Sequence, residues 1–186
     1  SWEIFLKNWW EYVVITLIMF LLIFIPLVGS ILQVFIMLAM INIVLKLIRG
    51  NIVKFSDFSQ LKEIFNSKTI IVAILVGLYY FLMQEIPVIS MILALVGAVL
   101  SIIFFPIFCV LVDKKFDIKE TISYSAKLTK NIRAEIVLIM LINLLIGITG
   151  AILLLVGIFV AVPVCLIATV KVYTLLEQRL NSQIQI

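Results

Sequence analysis

The sequence predicts an all-α fold: an integral membrane bundle of six transmembrane helices in three hairpins, with short amphipathic cytoplasmic helices in the two inner loops. Three observations predict it. Of the 186 residues, 65% are hydrophobic and 13% charged, and the mean hydropathy is +1.33. A soluble domain is about half apolar and about a quarter charged, so this chain has too few polar residues to cover a water-facing surface. Long apolar runs alternate with short polar breaks, many near the length of roughly 20 residues that crosses a hydrocarbon core. The basic residues, finally, are confined to alternate breaks.

Each element follows from local pattern. Trp2, Trp9, Trp10 and Tyr12 form an aromatic entry of the kind that collects at a membrane interface. A first span covers residues 12–25, and Pro26 and Gly29 make the turn to a second span at 30–48, ended by Arg49, Gly50 and Asn51. The first span lacks a small-residue cleavage site and is followed by others, so it reads as a span and not as a removable signal peptide. The chain starts at Ser1 and not at Met, which reads as a trimmed product. Residues 54–67 place Phe55, Phe58, Leu61, Ile64 and Phe65 at helical spacing, an amphipathic helix expected to pack under the spans. A third span covers 69–83, a turn follows at Pro87, and a fourth span covers 88–112 with Pro106 inside it.

Residues 113–133 are the longest polar stretch. Asp117 followed by Glu120 has the form of a capping box, in which each side chain bonds a free backbone N–H of the helix start. Ile118, Ile122, Ser125, Thr129 and Ile132 then share one helix face, with Lys119, Lys127 and Lys130 on the others. Residues 134–170 carry one charge, Glu135, and are long enough for two spans. Gly147 and Gly150 bracket the expected turn, giving spans at 134–146 and 151–176, the latter with Pro163 inside, and a polar tail at 177–186.

All 14 Lys and Arg residues fall on one side of this topology, and the turns near Pro26, Pro87 and Gly147 carry none. Cytoplasmic loops carry the basic residues, so the chain is expected to be a multi-pass protein of the cell membrane with both termini cytoplasmic. Loop lysines account for the net charge of +4, which removes the case for nucleic-acid binding. The pairs Ile25-Pro26 and Ile86-Pro87, Lys54-Phe55 and Lys115-Phe116, and Lys7 and Lys68 share an offset of 61 residues. A single domain, 1–186, built from units at about 7–67, 68–128 and 129–186, would show this pattern.

Chemistry-bearing patterns are sparse. There is no His, the commonest metal ligand and general base. Cys109 and Cys165 lie in apolar runs without metal or disulfide spacing. No carboxylate pair, nucleophile elbow or phosphate-binding glycine loop is present. The expectation is a chain that is not an enzyme and needs no cofactor or metal. Thr16, Gln33, Asn42, Ser101, Asn143 and Thr169 lie at depth in the spans and are expected to bond between helices. Pro106 and Pro163 are candidate helix bends.

The segment LVDKKFDIKETISYSAKLTKNI is similar to the cytoplasmic signature of a group of small six-span bacterial and archaeal membrane proteins. The group is related to the membrane domain of glycerophosphoryl diester phosphodiesterases. Its pattern is a proline-containing span, an acidic residue, then a helix reading roughly E-A-L-x-x-S-x-x-L-x-K. Pro106, Asp113, Glu120, Ser125, Leu128 and Lys130 match it, while Thr121 stands for the usual alanine and Ala126 for a bulky residue. Phe55 to Phe58, and Pro163 followed by Tyr173, also fit. The resemblance implies a six-helix fold and little about activity. No phosphodiesterase catalytic domain lies within these 186 residues, so that activity is not expected to carry over.

Two functions fit these features. The first is a non-catalytic accessory or scaffold module in the lipid bilayer, engaging a membrane or cytoplasmic protein through a surface at Asp117, Glu120, Ser125, Lys127 and Lys130. The alternative is a transporter, or a substrate-binding subunit, for an apolar or lipid-like small molecule. Bound lipid without a protein partner separates the second from the first.

Overall fold

The computed structural model describes residues 2–7, 9–25, 28–51, 66–85, 94, 96–97, 99–102, 105–114, 116–152 and 154–184. These residues are all-α. The elements are α1 (Trp2–Lys7), α2 (Trp9–Leu21), a 3-10 turn at Leu22–Phe24, α3 (Val28–Ile48), α4 (Ser67–Glu85), α5 (Ile107–Lys114), α6 (Ile118–Thr129), α7 (Arg133–Ile152) and α8 (Leu154–Ile184).

The expected count of six spans is corrected. Among the described residues three helices are long and apolar enough to cross a membrane: Val28–Ile48, Arg133–Gly150 and Phe159–Ser182. The apolar stretches Trp9–Leu21 and Ser67–Leu82 are shorter. Local breaks cause the difference. The 13-residue α2 is about 20 Å long against a core of about 30 Å. It stops because the chain tightens into the 3-10 turn, where Ile25 N–H bonds Leu22 C=O at 3.1 Å. Of the expected fourth span, residues 94, 96–97 and 99–102 are helical, and the eight-residue α5, which starts after a turn at Phe105 and Pro106, carries the chain to Lys114. Pro106 thus opens a helix, its carbonyl accepting the N–H of Val110 at 2.9 Å. Pro163 lies inside α8. The expected helix at 54–67 and the turns at Pro26 and Pro87 fall almost wholly outside the described residues.

The C-terminal pair differs too. Gly147 and Gly150 do not flank a turn but lie inside α7. A Cβ on Gly150 would come within 2.7 Å of Ala161 Cβ and 2.9 Å of the Gly157 carbonyl oxygen. The glycine is therefore what lets α7 and α8 approach. The expected polar tail is helical as far as Ile184, so α8 runs for 31 residues. Leu176 and Leu180 pack against the core, and this holds the last turns to the bundle.

Two helices organise the packing. α8 touches α1, α2, α3, α6 and α7, and α3 touches α2, α4, α5 and α8. The larger core joins Tyr12 and Ile15 of α2 with Met40, Ile41, Val44 and Leu45 of α3, Cys109 and Val110 of α5, and Ile167, Val170 and Tyr173 of α8. A second core packs Val34, Leu38 and Ala39 of α3 on Ala73 of α4 and Leu111 of α5. α7 is covered mainly by α8, and its outer residues, including Leu138, Leu141 and Leu145, are exposed apolar surface suited to lipid. The protein is an all-α membrane protein.

Polar residues at depth behave in two ways. Gln33 bonds between helices, its side-chain amide donating to the Met19 carbonyl at 2.9 Å; that carbonyl lies in the last turn of α2, where helices leave acceptors free. Thr16 and Thr169 instead donate back to the carbonyls of Tyr12 and Cys165 in their own helices, at 2.8 and 2.9 Å.

α3 ends by a Schellman motif. Gly50 N–H bonds Leu47 C=O at 3.1 Å, and Asn51 N–H bonds Lys46 C=O at 3.0 Å. Gly50 has φ of 83°, the left-handed region that costs other residues roughly 1–2 kcal/mol. Gly50→Ala should therefore destabilise the detergent-solubilised protein by about 1 kcal/mol, while Gly50→Asn should cost less, as thermal unfolding of the two variants would show.

Candidate functional site

At one end of the bundle the ends of α3 and α5 and the late turns of α8 meet in a network of charged groups. The α3 cap places Arg49 first: Gly50 turns the chain away, leaving Arg49 as the C-cap beside the negative end of the helix dipole. α5 carries Asp113 and Lys114 in its last turn. α8 supplies Tyr173 and, one turn later, Glu177.

Arg49 grips Asp113 with both guanidinium arms. Nη1 donates to Oδ1 and Nη2 to Oδ2, the latter at 2.8 Å. The Tyr173 hydroxyl, itself fully buried, donates to Asp113 Oδ2 at 2.7 Å. Arg49 Nη2 also reaches Glu177 Oε2 at 3.1 Å. Lys114 Nζ bonds Glu177 Oε1 and lies 3.7 Å from Asp113 Oδ2. Two cations thus neutralise two anions, with one hydroxyl completing the shell. The acids are inside and the bases outside: side-chain exposure is 6% for Asp113 and 12% for Glu177, against 43% for Arg49 and 29% for Lys114.

Burial alone would raise the Asp113 carboxyl. Hydrogen bonds from Arg49 and Tyr173, with the charges of Arg49 and Lys114, outweigh it and hold the group below its ordinary value of 3.8. Burial likewise disfavours the charged form of Lys114, but the bond and charge of Glu177 and the charge of Asp113 raise it above the usual lysine value. Arg49 is raised, first through its bond to Asp113. Asp113, Lys114 and Arg49 are thus each held in the charged form. A carboxylate with its acceptor sites filled and its proton affinity lowered is poorly placed to move protons, so the arrangement ties helices together.

The segment after the network builds α6. Asp117 and Glu120 form the expected capping box, with Asp117 N–H donating to Glu120 Oε2 at 3.3 Å. Asp117 also pairs with Lys68 of α4 at 3.2 Å, an exposed contact of the kind worth under about 1 kcal/mol. α6 docks on α5 and α8. Phe116 and Tyr124 meet edge to face at 5.5 Å between centroids, and Leu128 joins the larger core.

The buried face of α6 is turned from the expected one. Thr121, Ser125, Leu128 and Thr129 are buried, continued by Ile132, whereas Ile122 is 41% exposed. Spacing by 4, 3 and 4 from Thr121 to Ile132 keeps Leu128 in the core; the expected face left it out. Ser125 is fully buried and so belongs to the packed face and not to the surface. The hydroxyls of Thr121 and Ser125 have no hydrogen-bond partner among the described residues. Lys127 and Lys130 are exposed near the C-terminal end of α6, apart from Asp117 and Glu120 at its start.

Arg49, Tyr173 and Glu177 did not stand out as site residues. Arg49 read as a span end and Glu177 as the start of a tail. One signal was present: Arg49 and Asp113 are 64 residues apart, and Arg49 and Glu177 are 128 apart. Among the described residues no group of three or more His, Cys, Asp or Glu side chains could hold a metal ion.

Arg49→Ala should destabilise the protein by about 2 kcal/mol, because it strips a buried carboxylate of its two strongest donors; a thermal melt in detergent measures it. The network also sets a pH limit. Asp113 is depressed when folded, so its contribution is complete above the unfolded value of 3.8 and is lost as pH falls through the lower folded value. Stability measured between pH 7 and 2 should fall on the acid side of about pH 4, and Asp113→Asn should flatten that limb. No family model matches the chain, and neither a curated protein nor a solved structure does.

Proposed function

We propose that the chain is a non-catalytic membrane module that presents α6 as a rigid platform for a partner protein. The observation that carries this reading is the convergence of α3, α5 and α8 on the Arg49–Asp113–Glu177 network, with α6 docked beside it. A helix of 12 residues is marginal alone in water. Here a capping box, a buried face and a tied base hold it. Its other face, with Lys119, Glu120, Ile122, Lys127 and Lys130, is exposed and free to meet a partner.

The basic end would face the cytoplasm and both termini would lie there, since basic residues mark cytoplasmic loops. Kinship with the membrane domain of glycerophosphoryl diester phosphodiesterases is part of the same reading. It is supported by the placement of the matching residues: Asp113 at the centre of the network, Ser125 and Leu128 on the packed face of α6.

Affinity capture of the full chain in mild detergent should recover a protein in stoichiometric amount. Lys119→Glu with Lys130→Glu should abolish its recovery while leaving the melting temperature unchanged. Recovery of the same protein by this double variant would sink the platform reading. Native mass spectrometry that found a retained neutral apolar molecule other than a phospholipid, and no protein, would favour carriage of an apolar substrate instead.

A further inference from the structure

Beside the network, and not part of it, lies a shallow groove between the end of α6 and the last turns of α8. Its volume is about 50 Å³. Lys127, Asn131 and Arg179 form its polar rim, and Ile132, Leu176 and Leu180 are among its apolar walls. Ile132 is buried, Leu176 and Leu180 are half-buried, and the three rim residues are exposed.

Among the described residues its charge is uncompensated. The acids of the neighbouring turns, Asp113 and Glu177, are already held by Arg49 and Lys114. Among the described residues Lys127 and Arg179 have no acidic partner. Two cations and an amide therefore line the hollow and face outward, with apolar side chains behind them.

Its position matters as much as its charge. The apolar span of α7 begins at Arg133, directly after Asn131 and Ile132, and that of α8 ends at Ser182, just beyond Arg179. The two helices are antiparallel neighbours, so the groove lies where both leave the hydrocarbon core. The surfaces next to it along the spans are apolar and open: Leu138 on α7 and Leu175 on α8 are each about 60% exposed. A soluble anion would use the rim and gain nothing from the walls. A molecule with a phosphodiester head and acyl chains would use the rim, the walls and the span surfaces together. Basic pockets at the ends of membrane helices suit acidic lipid headgroups for this reason.

We propose that this groove is a binding site for an acidic phospholipid, with Lys127 and Arg179 on the phosphate and Asn131 donating to it. The proposal goes beyond the platform reading and does not depend on a protein partner.

The test uses the full chain in mild detergent, titrated with short-chain phosphatidylglycerol, with phosphatidylcholine of the same chain length, and with inorganic phosphate. Thermal shift and native mass spectrometry are the readouts. Phosphatidylglycerol should raise the melting temperature saturably and be retained in the gas phase, and the other two should not. Each of Lys127→Gln and Arg179→Gln should weaken the apparent affinity roughly five-fold and the pair about 25-fold, from the usual worth of one cation near an acidic headgroup. Lys127→Arg should keep binding, which shows that a loss in the glutamine variants is one of charge and not of folding. Lys7→Gln, an exposed charge outside the groove, should change nothing. Equal stabilisation by phosphatidylcholine or by inorganic phosphate would overturn the proposal, as would unchanged affinity in the double variant.

Discussion

The Asp113 carboxylate is the group on which this end of the bundle depends. A charge so deeply covered cannot be tolerated alone, because the loss of its hydration costs several kcal/mol. Asp113 recovers that loss only if Arg49, Tyr173 and Lys114 are all in place. These groups sit on the ends of α3, α5 and α8, so satisfying one carboxylate fixes three helices relative to each other. In a bilayer this carries extra weight. Lipid chains are as apolar as the helix surfaces, and burial of leucine against leucine supplies little net drive for association. A polar tie at the end of the spans supplies what the apolar faces do not.

The same tie explains how the surroundings acquire their character. The exposed bases close over the buried acids, which leaves the outer surface at this end cationic. Glu177 turns inward to Arg49 and Lys114, and among the described residues Arg179, two residues later, has no acidic partner. α6 follows Asp113 after only a few residues. Its capping box sets where it starts, Leu128 seats it in the core, and its charged face is left outside. The exposed basic face of α6 and the basic groove both adjoin one neutralised cluster.

Much of this was legible residue by residue. The composition allows only a lipid-facing fold, Arg49-Gly50-Asn51 ends α3 as read, and Asp117 with Glu120 caps α6 as read. Each is a local signal with a local cause. The number of spans was not legible, because hydropathy counts apolar residues without showing whether one helix contains them. Residues 12–25 carry no charge and are apolar apart from Tyr12 and Thr16, yet the chain leaves the helix at Leu22. Residues 88–112 are apolar too, yet α5 begins afresh after Pro106. The rotation of α6 was missed because its buried face carries Thr121 and Ser125, which no hydrophobic pattern selects. Glu177 was missed because a polar residue after an apolar run looks like an exit from the membrane. Only its distant partners show that it is buried.

The network also constrains which charges can sit where the three helices meet. Arg49, Asp113 and Glu177 come together from positions far apart in the chain. Three like charges gathered within a few ångströms would repel strongly when partly buried. The contact therefore closes only with mixed signs. α3 supplies the base, α5 and α8 supply acids, and Lys114 balances the second acid. A change of sign at any one of the three positions would turn the tie into a repulsion, which is why the charges are matched across helices and not along any one of them.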